Sequence, residues 1–271
     1  MNGWIATFTA FVLMLAAGSG GALLARRLPE EYLSEHAMKN LRIGMALVGT
    51  MSSLLLGLMI NSSRYNFSEA YSDVQKYTAA VQLTDLELLQ YGESGCRIRS
   101  TLHDYATKLV EGTWGGGKGS SVREADPSLS ALLRLHGEIR ALEASNEDQK
   151  LVRSTLLSLS RQLMEYHWKV DGEALAATPI TFLAVVISWF CIIFWFLGVF
   201  APRNNPVVAV GQVLAMTAIA GAIFLVNEMG EPFSGPIQVS SESLARLLDR
   251  MDAEPCPSRS ATPTPASPAG R

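Results

Sequence analysis

Cysteine is scarce in this chain, and none of the three present, Cys96, Cys191 and Cys256, stands in a CxxC pair. An odd number of scattered cysteines argues against a disulfide framework and against a thiolate zinc site. They read as incidental thiols, with Cys96 and Cys256 unpaired. Charge is also sparse, at 17% of residues, and its balance is slightly acidic, with a formal net charge of -3. No basic surface of the kind that neutralises a phosphate backbone is available, which excludes a nucleic-acid partner. His36, His103, His136 and His167 share no HExxH or other metal spacing, and none lies in a nucleophile context. No residue carries catalysis, so we expect no enzyme, no metal and no cofactor. Gly115 to Ser120 lacks the four-residue gap of a phosphate loop and follows no strand, so the stretch 112–120 reads as a linker.

What the chain has in quantity is apolar sequence, 48% of it, gathered into long runs. A hydrocarbon layer about 30 Å thick takes roughly 20 apolar residues as a helix, because every backbone polar group must be satisfied within the segment. Four stretches qualify: Gly3 to Ala25, Ile43 to Ile60, Pro179 to Phe200 and Val207 to Val226. The first lacks basic residues before it and a cleavage site after it, so it reads as an uncleaved span. The last two are joined by Ala201-Pro202-Arg203-Asn204-Asn205-Pro206, which cannot continue a helix because proline has no amide donor. An even number of spans places both termini and the long 62–178 insert on one side. Basic residues flank the spans similarly on both sides and do not set the orientation. Unpaired Cys96 and Cys256 favour the reducing cytoplasm for the insert and the termini.

Within the insert, apolar residues recur at helical spacing in four groups. Phe67, Tyr71, Val74, Thr78 and Val81 form the first, which fades near Tyr91-Gly92 and is separated from Ile60 by no helix breaker. Ile98, Leu102, Tyr105 and Leu109 form the second. Leu132, Leu135, Ile139 and Leu142 form the third, with Asp126-Pro127 suited to its start. The fourth carries Val152, Leu156, Leu159, Leu163 and Tyr166, and opens at Asn146 with Gln149 as in a capping box. One apolar face on each predicts a helical bundle.

The candidate functional residues lie in and beside the spans. Thr50, Ser53, Gly57, Asn61 and Arg64 fall at intervals of three and four on the second span, giving one polar, small-residue face with a cationic end. Such a face lines an aqueous path for anions or packs closely against another helix, and both readings stand. Gly211, Ala215, Ala218 and Ala222 make a smooth ridge on the fourth span, suited to helix packing. Just after it comes Asn227-Glu228-Met229-Gly230-Glu231-Pro232-Phe233-Ser234-Gly235-Pro236, where Glu228 and Glu231 can ligate a cation, accept helix amides, or pair with Arg64 or Arg42. A short helix from Ser243 to Met251 precedes a tail of Pro, Ser, Thr and Ala that cannot bury a core.

That string, together with Arg42-Ile43-Gly44 and Gly49-Thr50 to Gly57 in the second span, Phe200 to Asn204, and Gly221 to Leu225, resembles the bestrophin-like DUF4239 family of bacterial membrane proteins over about residues 5–250. The resemblance implies an all-α fold of four transmembrane helices, with an extramembrane helical bundle inserted between helices 2 and 3. The organisation is then 1–61 for spans one and two, 62–178 for the bundle, 179–227 for spans three and four, 228–252 for a post-membrane segment with a short helix, and 253–271 for a disordered tail. Bestrophins are pentameric anion channels whose second helix lines the pore. The implied function is an oligomeric, anion-channel-like protein of the bacterial inner membrane, with the lipid bilayer, further copies of itself and anions such as chloride as partners. The sequence departs from bestrophins in lacking their acidic run beyond Glu228 and Glu231 and the aromatic constriction of the pore neck. A non-conducting membrane scaffold or sensor, whose bundle binds a partner, is the alternative.

Overall fold

The computed structural model describes residues 3–27, 35–114, 126–175, 180–201 and 205–254, and the regular elements among them are all helices. In chain order these are α1 (Gly3–Arg27), α2 (Glu35–Tyr91), α3 (Glu93–Trp114), α4 (Pro127–Arg140), α5 (Glu147–Leu175), α6 (Ile180–Val199), α7 (Pro206–Met229) and α8 (Glu242–Ala253). Four of them, α1, α2, α6 and α7, are long and apolar enough to cross a membrane. The loop at Arg203, Pro179, the glycine-rich residues 115–120 and the tail from 255 onward, Cys256 included, lie outside the described residues. The second span and the first insert helix are one continuous helix of 57 residues, as the lack of a breaker between them predicts. It stops where Gly92 adopts φ 93°, a left-handed conformation that a glycine takes without a Cβ clash.

The chain divides into two compact units, residues 1–71 with 173–239 and residues 72–172 with 240–271, and the division falls inside α2. The first unit is built on Ala10 and Met14 of α1, Leu56 and Met59 of α2, Val186, Phe190 and Phe194 of α6, and Met216, Ala220 and Ile223 of α7. Here α1 and α6 approach until backbones touch. A Cβ on Gly21 would stand 2.0 Å from the Trp195 carbonyl oxygen, and one on Gly198 would stand 2.1 Å from that of Gly18. Small residues permit this approach, and dispersion between close backbones is what holds helices together in lipid, where no hydrophobic drive separates helix from tail. The Trp195 ring lies over Gly20, in keeping with an indole that packs on protein instead of anchoring at the interface.

The second unit gathers Tyr77, Val81 and Leu88 of α2, Leu102 and Tyr105 of α3, Leu132, Leu135 and Ile139 of α4, Leu156 and Leu163 of α5, and Leu244, Leu247 and Met251 of α8 around one core. The helix starts are those the sequence predicts. Asp126 caps α4 by accepting from the Ser128 amide at 2.9 Å, with Pro127 in the first turn. At α5 the Gln149 amide donates to Asn146 Oδ1 at 2.7 Å, while the Ser145 amide donates to Gln149 Oε1 at 2.8 Å. The core is not wholly apolar. Arg99 and Asp85 form a buried ion pair, with Nε donating to Oδ1 at 2.5 Å. The hydroxyls of Tyr77 and Tyr105 are hydrogen-bonded inside the bundle, and buried His167 places Nε2 3.0 Å from Asp126 Oδ2. One expectation is overturned: Cys96 is disulfide-bonded, not an unpaired thiol, while Cys191 is free. Cysteine count and spacing do not report which thiols a fold brings together, and the compartment argument drawn from unpaired Cys96 falls with it.

Candidate functional site

Three faces run along the membrane half of α2. Ser52, Leu56, Met59 and Ser63 are buried and turn toward the chain's own helices. Thr50, Ser53, Gly57, Asn61 and Arg64 are all exposed. Ile43, Leu47, Met51, Leu54 and Leu58 are exposed as well, at 55–66%. At about 100° per residue, the polar stripe lies about 130° from the buried face and the apolar stripe about 150° from it in the other sense. Only 17% of the apolar window of α2 is buried within the chain. A Cβ added at Gly57 or Gly44 would meet nothing within 4 Å. The polar stripe is therefore not a packing seat for any other described helix of the same chain. Thr50 donates its hydroxyl to the Ala46 carbonyl at 2.8 Å, which leaves Ser53 and Asn61 as neutral donors beside the Arg64 guanidinium. Arg64 makes no ion pair among the described residues.

The ridge on α7 points the same way. Gly211, Ala215 and Ala218 are exposed and Ala222 half-buried, whereas α7 packs within its chain through Met216, Ala220, Ile223 and Val226. A Cβ on Gly211 would meet nothing within 4 Å. Ala222 packs against the core of its own chain, whereas exposed Gly211, Ala215 and Ala218 face away from the other described helices.

At the end of α7, Glu228 is only 5% exposed. Its carboxylate is wedged between two glycines: a Cβ on Gly3 would come within 2.3 Å of Oε1, and one on Gly235 within 2.2 Å of Oε2. Gly235 has φ 92°, so a side chain there would be strained as well as crowded. Buried carboxylates need a compensating field, and the first turn of a helix, whose amides have no partner within the helix, is its positive end. Glu231 accepts from the Ser234 hydroxyl at 2.8 Å, and the Val239 amide closes the loop on the Pro232 carbonyl at 2.7 Å. Pro232, Phe233 and Val239 are buried beneath it. The distinctive string thus folds as a plug around Glu228. The sequence reading singled out Glu228 but missed its neighbour Gly3, because contacts across more than 200 positions leave no local pattern.

These elements define a class: an integral membrane protein with four candidate spans, whose second helix continues as a member of a helical bundle. Residues 12–244 match the Bestrophin-like domain family, and the chain belongs to that family. No curated protein matches the sequence. Among solved structures, one variant of a bacterial bestrophin homologue from Klebsiella pneumoniae aligns with TM-score 0.69 and 14% identity, covering 90% of this chain and 96% of that one. A second variant of that homologue aligns with TM-score 0.66 and 14% identity over 93% and 97% of the two chains. A third gives 0.66 and 13% over 94% and 100%. At such identities the likeness shows the fold, four spans and bundle included.

Proposed function

We propose that the protein is an oligomeric anion channel of the bacterial inner membrane, with the polar stripe of α2 as its permeation surface. The carrying observation is that Thr50, Ser53, Gly57, Asn61 and Arg64 are presented away from every described helix of their own chain. A polar face turned to lipid is costly, whereas in a ring of copies it borders water while the adjacent apolar stripe meets the neighbouring subunit or lipid. The sign of the permeant ion follows from charge: between Glu35 and Glu69, α2 carries Lys39, Arg42 and Arg64 and no acidic residue. Basic rings favour anions, and Arg64 would raise their concentration at the end of the stripe. Nothing in this reading calls for enzymatic chemistry.

A non-conducting scaffold is the rival, favoured by the exposed Leu83, Leu86, Leu133 and Leu151 of the bundle helices. Chloride efflux from liposomes containing the purified protein separates the two. Efflux that Ser53→Leu abolishes, in a variant that still assembles, supports conduction along the stripe. Absence of efflux supports the scaffold, and efflux indifferent to Ser53→Leu overturns the stripe as the permeation surface.

A further inference from the structure

The polar stripe of α2 has a cation at each end. Lys39 and Arg42 stand just before the apolar run that opens at Ile43, Arg64 stands four residues beyond Ile60, and all three are exposed. At about 1.5 Å per residue, Arg42 and Arg64 are about 33 Å apart along the helix, close to the thickness of a hydrocarbon core. Cations at these depths flank many spans and reach for lipid headgroups, a role that fixes no meridian on the helix. Here the meridian is specific. Lys39 precedes Gly57 by 18 residues, which is five full turns, and Arg42 precedes Ser53 by 11, which leaves those two about 20° apart. The apolar stripe of Leu47, Leu54 and Leu58 lies about 80° round the helix from this line. Between the two ends the line carries Ala46, Thr50, Ser53, Gly57 and Asn61, all uncharged and exposed. No acid tempers either end: α2 has none between Glu35 and Glu69, and neither Lys39 nor Arg42 makes an ion pair among the described residues.

We propose that Lys39 and Arg42 form a second anion-collecting ring at the mouth opposite Arg64, and that each ring sets the inflow from its own side. The inference rests on the stripe being the permeation surface. It adds that selection for anions happens at the two mouths, while the neutral middle passes what they collect. Along an aqueous path, charges about 33 Å apart are separated by about three Debye lengths at 0.1 M salt, so the two rings act independently. An anion arriving from one side therefore meets only that side's ring before it enters. Each kT of positive potential at a mouth raises the local anion concentration about threefold, and a ring of copies multiplies the charge that one chain supplies.

The test is single-channel chloride current through the full-length protein in planar bilayers, at about 0.1 M and about 1 M salt. Wild type is compared with Lys39→Gln plus Arg42→Gln, with Arg64→Gln, and with all three substitutions together. Removing one ring should cut the current entering from that mouth about threefold and leave the opposite current unchanged, so the ratio of currents at the two voltage polarities shifts about threefold from wild type. The triple variant should return to the wild-type ratio, with less current in both directions. At the higher salt, where the Debye length is about 3 Å, the shift should vanish. Lys39→Arg plus Arg42→Lys keeps the charge and should keep the wild-type ratio, which separates loss of charge from loss of fold. An unchanged ratio in Lys39→Gln plus Arg42→Gln, an equal loss at both polarities, or a shift indifferent to salt would overturn the second ring and leave the stripe standing. No chloride current from the wild-type protein would instead overturn the permeation reading, and the ring with it.

Discussion

Substituting Gly198 by alanine probes how the first unit is held together. The added Cβ lands 2.1 Å from the Gly18 carbonyl oxygen and 3.0 Å from the Ala22 amide nitrogen, both rigid backbone atoms of α1. Reaching ordinary contact at 3.4 Å requires α1 and α6 to part by about 1.3 Å. A gap of about 1 Å forfeits up to half of the dispersion between the atoms it separates, and overpacking of this kind costs about 3 kcal/mol at the upper end of its usual range. Alanine returns about 1 kcal/mol through its better helix propensity. The net loss is about 2 kcal/mol, roughly thirtyfold in the folding equilibrium, or a fall of about 4–8 °C in Tm. Gly57→Ala is the control, since its Cβ meets nothing within 4 Å and only the propensity gain remains. Thermal unfolding of the two variants in one detergent reads the difference. Equal stability of Gly198→Ala and Gly57→Ala would refute the backbone-contact account of α1 and α6.

Arg99→Met leaves Asp85 buried without its partner and should destabilise the bundle by about 3–5 kcal/mol, while Arg99→Met with Asp85→Leu recovers most of that loss in chemical denaturation. Burial pushes the Asp126 carboxyl up, but the Ser128 hydroxyl and amide, with His167, outweigh it and hold it below the usual aspartate value. A depressed carboxyl contributes stability above its unfolded pKa of about 4 and loses it as pH falls, so acid unfolding should soften there by about 1 kcal/mol or less, and Asp126→Asn should flatten that part of the pH profile. Burial, and then the neighbouring phenol, raise the Tyr77 hydroxyl, and burial likewise raises Tyr105. Their contribution is complete below the ordinary phenol value of about 10 and is lost as pH rises beyond it, so alkaline melts should show a steep fall that Tyr105→Phe moderates.

The spans were legible because lipid permits only helices of a certain length, and the α4 and α5 starts because caps act within three or four residues. The extent of α2 followed from the missing breaker before Tyr71 and from Gly92 at its end. The close approach of Gly18, Gly21 and Gly198 was not legible, since glycines in an apolar run carry no mark of which backbone they meet. The disulfide at Cys96 was hidden for the same reason. For the site, period alone gathered Thr50, Ser53, Gly57, Asn61 and Arg64 on one face. Only the fold shows that this face is turned from the other described helices.

Water at that face is the quantity to measure. In a chain with Cys96, Cys191 and Cys256 replaced by serine, single substitutions Gly57→Cys, Asn61→Cys and Leu58→Cys can each be challenged in liposomes with a charged, membrane-impermeant thiol reagent. Rapid modification of Gly57→Cys and Asn61→Cys with an accompanying change in chloride efflux, and no modification of Leu58→Cys, is the predicted pattern. Reaction at Leu58→Cys with silence at the other two would contradict it.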